Sequence, residues 1–142
     1  AEAREIEGQI WTLWQASGSD TTDLLLTRVD AFLREDATES AIHLLNEVVS
    51  LSPDYAEGWN KRATAHFLQD DYKAALQDVE RTLRLEPRHF GAWSGLGTIL
   101  LGMGEDARAL AAYKRALQIN PHLQEITKEA ERLELMVKGR GI

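Results

Sequence analysis

The sequence predicts an all-α fold, an α-solenoid of three helix–turn–helix repeats with a helix before them and a capping helix after them. The prediction rests on features that recur every 34 residues: all the prolines of the chain, two of its tryptophans and a set of alanines. They are Pro53, Pro87 and Pro121, Trp59 and Trp93, and Ala41, Ala75 and Ala109. A fixed period of this length is typical of repeat proteins, in which one supersecondary unit stacks on the next.

The period divides the chain into five segments. The first repeat is degenerate, because Leu25 stands where the next two repeats have tryptophan. We expect an N-terminal helix and linker at 1–21, repeats at 22–55, 56–89 and 90–123, and a capping helix with a frayed tail at 124–142.

The N-terminal segment has its own helical pattern. Ile6, Ile10, Leu13 and Trp14 have the spacing of one helix face, and the polar stretch 17–19 follows them. By register, Trp14 falls in the second helix of a preceding repeat. We therefore expect this helix to occupy that place.

Inside a repeat, apolar residues follow helical spacing in two runs. In the second repeat Trp59 and Ala63 belong to the first run, Ala75 and Val79 to the second, and the polar stretch 69–71 separates them. Each repeat is therefore predicted to be a pair of antiparallel helices that buries its apolar stripes by stacking on its neighbours.

Acidic residues mark the expected helix starts. Asp36 and Asp54 are each followed three residues later by a glutamate, the spacing of an N-cap acceptor and its partner acid. The acid pairs at 70–71 and 105–106 are interpreted in the same way, because negative charge is favoured at a helix N-terminus.

The last segment predicts a helix with one apolar face. Leu123, Ile126, Ala130, Leu133 and Val137 form a narrow stripe between charged residues. A polar outer face is what the end of a solenoid needs, because no further repeat covers it.

Composition excludes several classes of partner. The net charge of −7 at pH 7 disfavours nucleic acid and anionic membranes, since both need a basic surface. No apolar run approaches the roughly 18 residues of a membrane span, so we expect no membrane insertion. Cysteine is absent, which removes disulfides, thiolate metal sites and cysteine nucleophiles.

The third repeat carries the most complete pattern. It has tryptophan at its fourth position, Leu-Gly at the seventh and eighth, alanine at the twentieth and proline at the thirty-second, which are Trp93, Leu96-Gly97, Ala109 and Pro121. With the 34-residue period, this pattern resembles the tetratricopeptide repeat over residues 22–121. The resemblance implies a module that binds a peptide or helix of another protein and is not an enzyme.

In that family the first helix of each repeat lines a concave groove, and the resemblance carries this role to matching positions here. The predicted groove residues are Leu26, Asp30, Arg34, Glu57, Asn60, Lys61, Thr64, Phe67, Ser94 and Thr98. Asn60 offers a donor and an acceptor to peptide backbone, while Leu26 and Phe67 offer apolar pockets.

One subclass of the family clamps the C-terminal carboxylate of chaperones with lysine, asparagine and arginine at set positions. Here Leu26 and Asp30 stand in the slots of the first repeat, and Asp23 and Asp30 would repel a carboxylate. This subclass is excluded. The alternative to peptide binding is a structural role, self-association through the N-terminal helix or the groove.

No residue set predicts catalysis, a metal or a cofactor. The glycines at 95, 97, 102 and 104 lack the preceding strand of a phosphate loop and are interpreted as helix contacts and turns. None of the four histidines is three or four residues from another; His66 is interpreted as a core residue, and His89 and His122 as loop residues with a metal only as an alternative. Trp59 and Trp93 are interpreted as packing between helices rather than stacking on a ligand.

The sequence gives one indication of location. The chain is similar to small bacterial tetratricopeptide proteins that carry a secretion signal before a short N-terminal helix and three repeats, which favours the periplasm over the cytoplasm. Its start at Ala1 rather than Met fits either cleavage by signal peptidase or an artificial boundary.

Overall fold

The computed structural model describes residues 19–139, and all the regular secondary structure in this range is α-helical. The seven helices of the described range are α1 (Asp20–Arg34), α2 (Thr38–Leu51), α3 (Ala56–Leu68), α4 (Tyr72–Leu85), α5 (Phe90–Gly102), α6 (Asp106–Ile119) and α7 (Gln124–Gly139). The predicted all-α fold is confirmed. The helix expected before residue 19 and the fraying expected at residues 140–142 lie outside the described residues.

The chain forms two compact units, one reaching to Leu85 and one beginning at Glu86. In the first unit α1 packs on α2, α2 on α3 and α3 on α4. In the second unit α5 packs on α6 and α6 on α7. The helices thus pair as three hairpins, α1/α2, α3/α4 and α5/α6, with α7 against the last.

The core of the first unit lies between the first two hairpins. Val29 of α1, Leu45 and Val48 of α2 and Ala65 of α3 belong to one cluster and have no solvent exposure. Burying aliphatic side chains of this size is worth roughly 1.5–3 kcal/mol each, so the apolar stripe is what holds neighbouring helices together.

The core of the second unit depends on a glycine at the contact between α5 and α6. A side chain at Gly97 of α5 would collide with the ring of Tyr113 of α6, with a Cβ only 2.5 Å from Cε1. The missing side chain is therefore what allows α5 and α6 to approach closely. Leu133 of α7 completes this core and has no solvent exposure.

The turn inside each hairpin repeats the same geometry. Asp36, Asp70 and Gly104, spaced by the sequence period, each have a left-handed φ of 59°, 59° and 79°. The following N–H bonds back into the preceding helix, as Ala37 to the carbonyl of Phe32 at 2.8 Å. This is the hydrogen bond that closes a Schellman motif, and it requires a left-handed residue at this position.

The predicted N-caps at Asp36 and Asp54 are wrong. Asp36 ends α1 instead of starting α2, because its left-handed backbone places it in the Schellman turn. The N-cap residues of α2 and α3 are Ala37 and Tyr55, and neither makes a side-chain cap. A side-chain cap does form at α1, where the Ser19 hydroxyl accepts from the N–H of Thr22 at 3.2 Å.

The acid pairs at 70–71 and 105–106 differ in whether they cap the helix that follows. Asp71 accepts from the N–H of Ala74 at 3.3 Å at the start of α4. Glu105 occupies the N-cap of α6 but makes no side-chain cap bond. The sequence predicted that both acid pairs precede a helix. Whether an acid also makes a capping hydrogen bond depends on whether its side chain reaches the free N–H groups of the first turn.

Candidate partner-binding surface

The predicted groove residues lie on the first helix of each hairpin. In the first unit α1 and α3 carry eight of them, and in the second unit α5 carries Ser94 and Thr98.

An ion pair joins the first helices of the first two hairpins. The Lys61 Nζ lies 2.9 Å from Oδ1 of Asp30, and the Asp30 side chain is 41% exposed. Because Lys61 is already neutralised by an acid, it does not present a free positive charge. The surface here is polar rather than basic.

Leu26 and Glu57 are interior residues, contrary to the prediction that they face a ligand. Leu26 is 6% exposed and belongs to the core cluster with Val29 and Leu45. Leucine at this position turns towards α2 because its removal from water outweighs any gain at the surface. Glu57 is 2% exposed, and its carboxylate accepts from Nδ2 of Asn60 at 3.0 Å.

The pKa of Tyr55 is shifted by the electrostatic environment of this region. Burial raises the pKa of its hydroxyl strongly, and the negative charges of Glu57, Asp23 and Asp30 raise it further. A phenol that resists ionisation in this way lies in a desolvated and negatively charged environment.

The remaining predicted residues of the first unit are accessible or half-buried. Arg34 and Thr64 are exposed, and Phe67 is half-buried with its ring 5.7 Å from that of Tyr72. The Thr64 hydroxyl donates to the carbonyl of Asn60 at 3.3 Å, which leaves its oxygen as an acceptor and its methyl group for contact with a ligand.

In the second unit the two predicted residues lie on an α5 surface of small side chains. The Thr98 hydroxyl donates to the carbonyl of Ser94 at 3.2 Å and lies 2.9 Å from the hydroxyl of Tyr113. Burial raises the pKa of Tyr113, although its hydrogen bond with Thr98 opposes the shift. A Cβ at Gly95 would have nothing within 4 Å, so this stretch of helix is open.

A polar cluster that was not predicted joins α2, α3 and α4. The Arg62 guanidinium donates to both carboxylate oxygens of Asp78, at 2.8 and 2.9 Å, and to Oδ1 of Asn46 at 3.1 Å. His66 Nε2 lies 3.6 Å from the same carboxylate, so this half-buried histidine belongs to a polar cluster and not to the apolar core. Sequence spacing alone does not bring Arg62 and Asp78 together, because they lie on different helices.

The tryptophans are held by backbone and by arginines. The indole N–H of Trp59 donates to the carbonyl of Pro53 at 2.9 Å, and that of Trp93 to Pro87 at 3.0 Å. Arg81 lies over the Trp59 ring and Arg115, one period later, over the Trp93 ring. The period that relates the tryptophans also relates these arginines, and this signal could have revealed the contact.

Residues 19–139 were also compared with the requirements of a metal site and of a membrane span. No group of three histidine, cysteine or acidic side chains in this range could hold a metal ion. His89 is not a loop ligand, because it is buried at the N-cap of α5 and its Nδ1 accepts from the N–H of Ala92 at 2.9 Å. No helix in the same range is long and apolar enough to span a membrane.

The fold and the 34-residue hairpins define a helical-repeat protein, and the chain belongs to the tetratricopeptide repeat family. The family model matches residues 26–81 and 69–123. A TPR repeat-containing protein of Rhizobium etli is 42% identical over 120 residues, which are 84% of this chain and 59% of that protein. The chain therefore spans about three fifths of that relative.

Two solved structures show the same fold. The Sgt2 TPR domain from Aspergillus fumigatus has a TM-score of 0.81 at 20% identity, covering 87% of this chain and 83% of that one. The first TPR of Spaghetti (RPAP3), bound to the HSP90 peptide SRMEEVD, has a TM-score of 0.79 at 19% identity, covering 87% and 96%. The fold is thus an all-α tetratricopeptide solenoid.

Proposed function

We propose that this chain binds a segment of a partner protein, a peptide or a helix, on the exposed face of α1 and α3. The observation that carries the proposal is the Lys61–Asp30 ion pair, which joins these two helices through side chains that are 18% and 41% exposed. Asp30 of α1 and Asn60, Lys61 and Thr64 of α3 are the residues of the polar strip to which we assign binding. Membership of a family whose solved neighbours include a peptide complex supports the same conclusion.

The strip has the chemistry to hold backbone. Asn60 uses one N–H on Glu57 at 3.0 Å. Its side-chain carbonyl and second N–H remain for a ligand, which is the pair of groups that an extended peptide backbone complements. Thr64 lies one turn after Asn60 on α3, and both Thr64 and Arg34 of α1 are exposed, so we expect them to contact the side chains of the bound segment.

The charge of the strip argues against an acidic C-terminal tail. Lys61 is paired with Asp30, and Asp23, Asp30 and Glu57 all act on Tyr55 through their negative charges. An incoming carboxylate would meet these acids without a free lysine to balance them, and like-charge contacts of this kind cost several kcal/mol.

Because of these negative charges, we expect the chain not to bind the acidic peptide SRMEEVD. Fluorescence anisotropy with a labelled peptide measures the affinity, and the first TPR of Spaghetti (RPAP3) is the positive control because it was solved with this peptide. Micromolar affinity for this chain, lost when the peptide C-terminus is amidated, would contradict the charge argument while leaving protein binding itself intact.

The binding proposal is tested with a peptide selected against this chain from a display library. We expect the double variant Asn60→Ala, Lys61→Glu to weaken binding by about tenfold or more, since removing central contacts of an interface costs above about 1 kcal/mol. The matched control is Lys73→Glu, which makes the same charge change at an exposed position of α4. Thermal unfolding of each variant establishes that it is folded.

The two variants separate the possible outcomes. Loss of affinity in the double variant alone supports the proposed surface. Equal affinity of both variants and the unmodified chain, for every selected peptide, would refute it.

A further inference from the structure

The end of α3 exposes a large apolar side chain. Leu68 is 55% exposed in the last position of this helix. One period earlier α1 has Arg34, and one period later α5 has Gly102, and both of these residues are exposed. Since arginine and glycine occupy the same position in the other two hairpins, the packing of the repeats does not require a leucine here.

Leu68 lies on the same side of α3 as the polar strip. Lys61, Thr64 and Leu68 follow one another at spacings of three and four residues, which places them along one helix face. From the rise of an α-helix, Leu68 is about 10 Å further along the axis than Lys61. An extended peptide covers this distance in about three residues. A segment held at the polar strip therefore reaches Leu68 along α3.

Further apolar side chains at this end of the first two hairpins are only partly covered. Phe67 is half-buried, and its ring lies 5.7 Å from that of Tyr72, which is half-buried at the start of α4. Leu33, one period before Phe67, is half-buried at the end of α1. We call Leu33, Phe67, Leu68 and Tyr72 the Leu68 patch. Apolar surface that stays open to water at several positions is typical of a place that another molecule covers.

The turns beside this patch are acidic. Both turns carry exposed acids, which are Glu35, Asp36, Asp70 and Asp71. Two exposed cations stand next to them, Arg34 and Lys73, so negative charge is in excess. Burial and then the charge of Asp70 raise the pKa of the Tyr72 hydroxyl, which donates to Oδ1 of Asp70 at 3.2 Å. A partner with positive charge beside its apolar contact is complementary to this surface.

We propose that the Leu68 patch receives an apolar side chain of the bound segment, and that lysine or arginine flanks this side chain in the segment. The proposal rests on the proposed function, because the polar strip holds the same segment. Apolar contact at Leu68 contributes affinity, and the acidic turns favour basic over acidic segments. The occupant is thus an extended segment of another protein that combines an apolar residue with basic neighbours.

The apolar contact is tested with a peptide selected against the unmodified chain from a random display library, and fluorescence anisotropy measures its affinity. We expect Leu68→Ala to weaken binding by about fivefold to tenfold, because less apolar area is buried. Once the apolar residue of the peptide is itself replaced by alanine, Leu68→Ala should have no further effect, since the two side chains act through one contact. The matched control is Leu51→Ala, because Leu51 of α2 is 59% exposed and lies outside the patch. It should change the affinity by less than about twofold.

The double variant Asp36→Asn, Asp70→Asn tests the charge of the turns. Both residues have a φ of 59°, which asparagine also adopts, so the turns keep their conformation. We expect the affinity for the selected peptide to fall about threefold at about 0.1 M salt and the difference to vanish at about 1 M salt, where surface charges are screened. The control is Asp20→Asn, Asp54→Asn, which removes two exposed acids at the opposite ends of α1 and α3. Thermal unfolding of every variant establishes that it is folded.

The outcomes separate this proposal from the proposed function. Weaker binding in both Leu68→Ala and Asp36→Asn, Asp70→Asn, with unchanged controls, supports the Leu68 patch. Unchanged affinity in either variant, for peptides that Asn60→Ala, Lys61→Glu weakens, overturns the patch and leaves the polar strip standing. Selected peptides that lack a basic or an apolar residue overturn it as well. Affinity that is lost in Leu68→Ala but kept in Asn60→Ala, Lys61→Glu would support the patch and refute the polar strip.

Discussion

At the scale of single residues, the missing side chain of Gly97 sets how closely α5 and α6 approach. A Cβ here would lie 2.5 Å from Cε1 and 2.6 Å from Cδ1 of Tyr113. The ring cannot easily move aside, because it is 2% exposed and its hydroxyl lies 2.9 Å from that of Thr98. Gly95, on the same helix, has open space around it.

We therefore expect opposite effects from two alanine substitutions. Gly97→Ala should lower the free energy of unfolding by about 1–3 kcal/mol through overpacking. Gly95→Ala should raise it by up to about 1 kcal/mol, because alanine has the higher helix propensity and meets no neighbour. Urea denaturation of both variants measures this, and equal effects would mean that the Tyr113 contact does not limit the packing.

The raised pKa of Tyr55 predicts that the free energy of unfolding decreases at alkaline pH. Burial, followed by the charges of Glu57, Asp23 and Asp30, raises its pKa in the folded state above the ordinary value of 10.0. Below pH 10 both states hold the proton and nothing changes. Above pH 10 only the unfolded state releases it, so the free energy of unfolding falls as pH rises, by about 1.4 kcal/mol per pH unit for one such tyrosine.

Replacing Tyr55 by phenylalanine should remove this part of the loss. We expect the stability of Tyr55→Phe to fall less steeply than that of the unmodified chain above pH 10, while the two curves run parallel below pH 9. Urea denaturation from pH 8 to pH 11 measures both. Identical slopes above pH 10 would show that Tyr55 ionises as easily in the folded chain as in the unfolded one.

At the scale of helices, the Arg62–Asp78 pair connects three of them. Arg62 of α3 donates to Asp78 of α4 through two bonds and to Asn46 of α2. The Asp78 side chain is 5% exposed, whereas the Lys114–Glu134 pair between α6 and α7 is largely open to solvent. Removing one partner of a buried pair leaves an uncompensated charge, which costs far more than losing an exposed pair.

Asp78→Ala should therefore lower the free energy of unfolding by about 2–4 kcal/mol, reduced from the fully buried case because Arg62 retains some access to water. Glu134→Ala, the matched control, should cost less than about 1 kcal/mol. Chemical denaturation in low and high salt separates them, since only the exposed pair is screened. A loss below 1 kcal/mol for Asp78→Ala would mean that Arg62 finds another partner.

The helices could be predicted from sequence because their apolar stripes and their period carry the same information. The turns could not be predicted. Aspartate is a favoured N-cap residue, but Asp36 closes a Schellman turn, and only its left-handed backbone conformation distinguishes these two roles. The burial of the predicted surface residues could not be predicted from sequence either. Leu26 and Glu57 occupy groove positions by register, but the apolar cluster and the bond to Asn60 hold them inside.

At the scale of the whole molecule, a repeat protein is stabilised mainly by contacts between neighbouring elements. The last helix, α7, packs on α6. A change in α7 should therefore lower the free energy of local opening there without altering helices distant along the chain. Leu133 and Leu135 allow a matched comparison, because the first has no solvent exposure and the second is 75% exposed.

We expect Leu133→Ala to reduce the opening free energy of the α7 amides by about 2–4 kcal/mol, the cost of a cavity at a fully buried leucine. Leu135→Ala should change it by less than about 0.5 kcal/mol, as surface substitutions do. Native-state hydrogen exchange with mass spectrometry reports each helix separately, and α1 and α2 should keep their protection in both variants. An equal loss of protection in α1 and α7 of Leu133→Ala would show that the chain opens as one cooperative unit, because neighbour-limited stability cannot transmit a C-terminal cavity to the first hairpin.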